Sequence, residues 1–294
     1  MINPAVEKLV SGVKTVASLP TLYMRLNEMV GSASASNRDV ANLISEDPGL
    51  AARLLRIANS SFYGYPSRID TVTRAVTVIG TRQLTDIVLA TSVVDMFEGI
   101  PREIVDMESF WRHSIACGVA SRILASYRRE LNVERHFVTG LLHDIGRLII
   151  YIQMPGQARA AIDEVSARQG LLYEVENRLM GFDHAEVGGV LLQNWGLPES
   201  MVMSVTYHHR PSDYEGPDRE VSIVHVAEII ANAMQMGSAG EQFVPRLDKA
   251  AWESLALPAS VIAPTIKQLQ RQYQDAVNMI LFSSDRDQGS AAHA

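Results

Sequence analysis

The chain has 294 residues, enough for one large domain or two ordinary ones, and 47% apolar against 20% charged residues marks a folded globular protein. A formal net charge of −7, with the 26 basic residues scattered and only four of them Lys, leaves no basic patch to draw the chain to nucleic acid. The lone cysteine, Cys117, excludes a disulfide framework and any Cys-rich zinc site; among the small residues SIACGVAS it reads as a buried, inert thiol. Glu7, Lys8 and Lys14 interrupt the N-terminal apolar stretch and no run of about 18 apolar residues occurs, so neither a signal peptide nor a membrane span is expected, and the cytoplasm is the expected location.

Nearly every segment repeats its apolar residues at the helical period. Asp47-Pro48 predicts an N-cap followed by proline at the first helical position, where its missing N–H costs nothing. Leu50, Leu54, Ile57 and Ala58 then make one stripe. The segment SFYGYPSRID, with Gly64 and Pro66, breaks this helix. Its aromatic residues Phe62, Tyr63 and Tyr65 read as exposed, forming either an interaction patch or a cover folded down over the second helical block. Arg53 reads as a solvated face, and Asn59 and Ser60 as a helix end. Asp70 is expected to cap the next helix, which carries Val72, Val76 and Ile79 on one face and stops at Gly80. Thr81 is expected to cap another, with Leu84, Ile87, Val88, Thr91 and Val94 inward. No stretch alternates apolar and polar residues for the length of a strand, so the predicted fold class is all-α. The charged, proline-containing connection from Gly99 to Glu108 divides residues 1–98 from a second helical block, 99–282, and the small polar tail 283–294 is expected to be disordered.

The histidines carry the chemistry. His143-Asp144 interrupts an apolar helix, GLLHDIGRLII, that otherwise reads as core, and a buried His beside a buried carboxylate is costly unless a hydrogen-bonded pair or a metal satisfies both. His113 shares a helix face with Cys117, and His184 opens a helix that Asp183 and Glu186 cap in a box-like arrangement. His208 and His209 sit together just before Pro211; adjacent helical residues diverge by about 100°, so both serve one site only at a helix end or across two metals. Five histidines and an aspartate on separate helices compose a plausible nitrogen- and oxygen-rich cage inside a bundle, of a kind suited to iron, manganese, zinc or nickel. His136, beside Glu134 and Arg135, reads as a solvated helix start outside the cage. His225, three residues before Glu228, faces either the same cavity or the core.

GLLHDIGRL resembles the His-Asp core of the HD superfamily of metal-dependent phosphohydrolases. LISEDPGLAARLLRIANSSFYG, with AVTVIGTRQL and HAEVGGVLLQNWGLPESM after it in order, resembles the HDOD domain, an HD-related output domain of bacterial signalling proteins, over roughly residues 15 to 235. The resemblance implies an N-terminal helical subdomain packed on an HD-like bundle. Related HD-GYP phosphodiesterases cleave cyclic di-GMP on iron. Carried over from their ligand series, His113, His143, Asp144, His184, His208 and His209 all have counterparts, and Glu228 takes the place of the final Asp. Ser109 falls where that branch has an additional acid, Arg147 stands in place of a phosphate-binding Lys, and no glycine-tyrosine-proline signature comes after His209.

Two functions are compatible with this pattern. In the first, the chain is a regulatory HDOD module acting through other signalling proteins, with or without one or two bound ions of iron, manganese or zinc. In the second, it is a metal-dependent phosphohydrolase of a nucleotide or cyclic dinucleotide, in which Arg147 grips the substrate phosphate. Access to the metal separates them, since an enzyme needs an open coordination position. A nucleic-acid binder ranks last.

Overall fold

The computed structural model describes residues 3–16, 18–32, 35–60, 63–65, 67–97, 100, 104–168, 170–216 and 219–281. The tail, Phe62, Pro66 and most of the 99–103 connection lie outside the described residues. Among those described every regular element is helical: α1 (Pro4–Ser11), α2 (Thr21–Gly31), α3 (Asn37–Ser45), α4 (Pro48–Ala58), α5 (Val72–Ile79), α6 (Thr81–Met96), α7 (Met107–Arg128) and α8 (Val133–Leu142) come first. They are followed by α9 (Ile145–Gln153), α10 (Pro155–Arg168), α11 (Leu172–Met180), α12 (His184–Asn194), α13 (Glu199–Tyr207), α14 (Glu220–Ala233), α15 (Lys249–Ser254) and α16 (Ile262–Leu281). Among the described residues, no helix is long and apolar enough to cross a membrane.

The chain divides into two units, one of residues 1–18 and 96–269 and the other of 19–95 and 270–294. The sequence places residues 1–18 with the N-terminal block; in the structure they group with the histidine-bearing unit. Two long-range bonds account for this: Trp195 Nε1 donates to the Val16 carbonyl at 2.9 Å, and Asn3 Nδ2 to the Gly181 carbonyl at 3.4 Å.

In the smaller unit, α4 forms as its sequence dictates. The Asp47 side chain accepts from Leu50 N, Pro48 occupies the first turn, and Leu54, Ile57 and Ala58 have no exposed surface. Burying each of the two larger side chains contributes about 1.5–3 kcal/mol. Asn59 closes the helix and clasps the loop beyond it, its Nδ2 donating to the Ile69 carbonyl at 2.7 Å and its Oδ1 accepting from Ile69 N at 2.8 Å. The cap of α5 is Thr71, not Asp70, because the Thr71 hydroxyl is the side chain that accepts from Arg74 N. Gly80, with φ +98°, ends α5, and Thr81 is already the first residue of α6 rather than its cap. Arg53 is not a solvated face: its side chain is 15% exposed and donates to Asp95 Oδ2 at 3.2 Å. Tyr63 and Tyr65 are half-buried and stacked, with ring centroids 6.0 Å apart.

In the larger unit, α7 is buried along most of its length from Phe110 to Ala125, small residues such as Ala116, Gly118 and Ala120 letting neighbouring helices close around it. Gly118 on α7 and Gly140 on α8 face one another, and a Cβ on Gly140 would stand 2.9 Å from both Gly118 Cα and the Cys117 carbonyl oxygen. Backbone contact there carries His113 and the end of α8 to the same depth.

Candidate metal centre

The apolar stretch around the His-Asp doublet is two helices rather than one. α8 ends at Leu142, His143 caps it, and Asp144 stands at the N-cap of α9. His184 is the first residue of α12, behind an Asp183 cap whose side chain accepts from Glu186 N. His208 is the C-cap of α13, with His209 just past it. Most of the cluster thus sits at helix breaks, where two consecutive residues can face one centre; His113 and Glu228 reach it from the middle of α7 and α14. The approach of α9 to α12 depends on Gly146, where a Cβ would collide with the His184 carbonyl oxygen and stand 2.5 Å from Gly188 N.

These seven side chains converge. Asp144, His184, His208 and His209 form one group able to hold a metal ion, His113, His143 and Asp144 a second, and His143, His208 and Glu228 a third. His209 is the most exposed member at 8%, and the others are fully or almost fully buried. His143 Nδ1 donates to the Gly140 carbonyl and His208 Nδ1 to the Val205 carbonyl, each at 2.7 Å, which turns both Nε2 atoms inward. His184 is oriented the same way by Glu176, whose Oε2 lies 2.5 Å from Nδ1 and also accepts from His184 N.

Inside this shell, His143 Nε2, Asp144 Oδ2, His208 Nε2, His209 Nδ1 and both Glu228 oxygens are buried without a hydrogen-bond partner, and His113 turns its Nε2 toward Asp144 Oδ2 at 3.8 Å. Buried polar groups are almost always paired, and unpaired nitrogen and oxygen atoms gathered this closely are a donor set that could hold a cation. Neutral imidazoles and carboxylates are the donor set of iron, manganese and zinc.

Burial pushes His113 down to about 3 and holds His208 and His209 well below the ordinary imidazole range, leaving all three as neutral bases. Burial opposes protonation of His143 and His184 too, but carboxylates prevail there. Asp144, together with Cys117, lifts His143 well above its usual value, and Glu176 and Asp144 hold His184 at about 9 against Arg147. Asp144, despite its burial, is kept well below the carboxylate range by Arg147 and His143. Burial pushes Glu228 up to about 8, outweighing the attraction of His143.

Arg147 has no exposed surface and its guanidinium is fully engaged. Nε donates to Asp144 Oδ1 at 2.9 Å, Nη1 to the Ala239 carbonyl at 3.1 Å, and Nη2 faces His184 Nε2 at 3.3 Å. That leaves no free edge for a substrate phosphate. Ser109 supplies no acid; its hydroxyl accepts from Ser238 N at 3.0 Å. His225 stays outside the cluster as a satisfied core histidine, Nδ1 donating to the His208 carbonyl and Nε2 accepting from Asp248 N. His136 also stays outside, but it is 8% exposed rather than solvated. Cys117 is buried, and burial raises its thiol pKa. Glu176 is the residue that sequence reasoning missed; in YEVENR it stands beside another glutamate, an asparagine and an arginine, with nothing local to single it out.

A helical chain that closes a His-Asp doublet and further histidines around one centre has the architecture of an HD-like protein. The family model of the HDOD domain matches residues 16–211, and the chain belongs to that family. A curated relative from Treponema pallidum (strain Nichols), an uncharacterized protein, is 23% identical over 206 residues; the match covers 68% of this chain, which spans about two fifths of that relative's length. The fold is shared with an HDOD domain protein of unknown function from Geobacter sulfurreducens (TM-score 0.77, 22% identity, 94% of this chain and 99% of the other). It is also shared with a protein of Shewanella amazonensis SB2B provisionally named a phosphohydrolase (TM-score 0.72, 24% identity, 94% and 97%).

Proposed function

We propose that the protein is a regulatory HDOD module of a bacterial cytoplasmic signalling system, with a divalent metal at its HD-like centre that stabilises and shapes the larger unit rather than turning over substrate. The observation that carries this reading is the burial of the donor set, since the unpaired nitrogen and oxygen atoms aimed at one another have almost no solvent-accessible surface. Hydrolysis requires an open coordination position for water and a phosphate ester, and the arginine that would hold the phosphate is bonded internally. The output is then contact with other signalling proteins. A bound ion in such a centre can lower the pKa of water and polarise a phosphoryl oxygen, so the alternative is a metal-dependent phosphohydrolase of a nucleotide or cyclic dinucleotide. The mixed His and carboxylate donors and the name given to the Shewanella neighbour favour that second reading.

The two separate in one assay. Full-length protein saturated with manganese or iron is incubated with cyclic di-GMP and with an aryl phosphodiester, beside a His143→Ala/Asp144→Ala control. The regulatory reading expects no hydrolysis above the control. Hydrolysis lost in the double variant would establish the enzyme and overturn the reading.

A further inference from the structure

We propose that the cluster takes a single divalent ion, among His113, His143, Asp144, His208 and Glu228, and that the Arg147 guanidinium permanently fills the place of a second cation between Asp144 and His184. The inference rests on the cluster being a metal centre and concerns how many ions it can hold.

The two oxygens of Asp144 are treated differently. Oδ1 accepts from Arg147 Nε at 2.9 Å and lies 3.1 Å from His184 Nε2. Oδ2 has no hydrogen-bond partner and lies 3.3 Å from His143 Nε2 and 3.8 Å from His113 Nε2. The neighbouring groups divide the same way. On the Oδ1 side, His184 Nε2 already faces Arg147 Nη2 at 3.3 Å and His209 Nε2 at 2.9 Å. On the Oδ2 side, His143 Nε2, His208 Nε2 and both Glu228 oxygens have no hydrogen-bond partner, and Glu228 Oε2 lies 3.5 Å from His209 Nδ1.

A second ion between Asp144 and His184 needs the lone pairs that Arg147 engages, and it would sit against a guanidinium that stays charged at any working pH. Arg147 cannot swing away. It is completely buried, bonded to the Ala239 carbonyl and flanked by Glu241 Oε2 at 3.7 Å. Its planar fork spans an acid and an imidazole, whereas a lysine would present a single point of contact.

The test is manganese stoichiometry on the full chain, dialysed against Mn²⁺, with the electron paramagnetic resonance spectrum of the bound ion. The wild type is expected to bind one ion per chain with an uncoupled spectrum, and Arg147→Met to bind two with an exchange-coupled spectrum. Arg147→Lys is expected to remain at one. Two coupled ions in the wild type would overturn the proposal while leaving the metal centre standing, and no bound ion in the wild type would overturn the metal centre itself. A folded Arg147→Met variant that still takes one ion would also overturn it. The wild-type spectrum decides the matter alone if that variant does not fold.

Discussion

Glu228→Gln is expected to stabilise the metal-free protein and to weaken its metal binding, a reversal of sign that an ordinary core carboxylate does not produce. Glu228 is fully buried with neither oxygen hydrogen-bonded, and burial raises it from an ordinary value of 4.5 to about 8. The folded state therefore favours the protonated acid, and stability is greatest below the unfolded value and falls as pH rises toward the folded one. Near pH 7 the unfolded chain carries an ionised Glu228 about 2.5 units above its pKa, so keeping the proton costs about 3 kcal/mol at roughly 1.4 kcal/mol per unit. Gln keeps the shape and avoids that cost. In EDTA near pH 7, Glu228→Gln should unfold later by about 3 kcal/mol, or roughly 6–12 °C for a unit of this size. Near pH 5 the advantage should shrink below about 1 kcal/mol. With metal restored, the wild type should gain more thermal stability than the variant, because the carboxylate is then paired with the ion. Circular dichroism melts at both pH values, with chelator and with manganese, supply the four comparisons. A variant no more stable than the wild type in EDTA near pH 7 would refute the reasoning.

Other expectations test separate parts of the structure. Gly146→Ala places a methyl against the His184 carbonyl and Gly188 N, and should cost the upper part of the about 1–3 kcal/mol typical of overpacking, measured by urea denaturation; a neutral effect would contradict the close approach of α9 and α12. Asn59→Ala removes both bonds to Ile69 and should destabilise the smaller unit by about 1–3 kcal/mol, with faster amide exchange confined to residues around α4 and α5. Cys117, buried and with a raised pKa, should resist iodoacetamide in native buffer and react on denaturation; full labelling of the native chain would show that α7 is not where the fold puts it.

The all-helical fold was legible because the apolar period runs at helical spacing through almost the whole chain, and α4 shows how local the causes are: an Asp cap, a Pro in the first turn, one stripe of Leu and Ile. The seven candidate donors were legible because histidine and aspartate in apolar segments are conspicuous and because the HD resemblance orders them. What escaped was burial decided at long range. Glu134, Arg135 and His136 look like a solvated helix start, yet Glu134 and His136 are each only 8% exposed, and Glu134 lies 3.6 Å from Arg122 on α7. Glu176 sits in a segment with several charged neighbours, and only the packing of α11 beside the start of α12 reveals that it orients His184. Arg147 read as a free cation for a phosphate, since nothing in GLLHDIGRL shows that Ala239 and Glu241, about 90 residues later, close around it. The break at His143-Asp144 carries no proline, and Asp144, though it is the N-cap, makes no side-chain capping bond, so one helix was expected where there are two.

The most direct test of the metal centre is elemental analysis of full-length protein purified without a His-tag or chelator under low oxygen, beside a His143→Ala/Asp144→Ala control. The account predicts about one equivalent of iron, manganese or zinc per chain, absent from the control. Wild-type protein carrying no more metal than the control would contradict it and leave the seven side chains as a polar core without an ion.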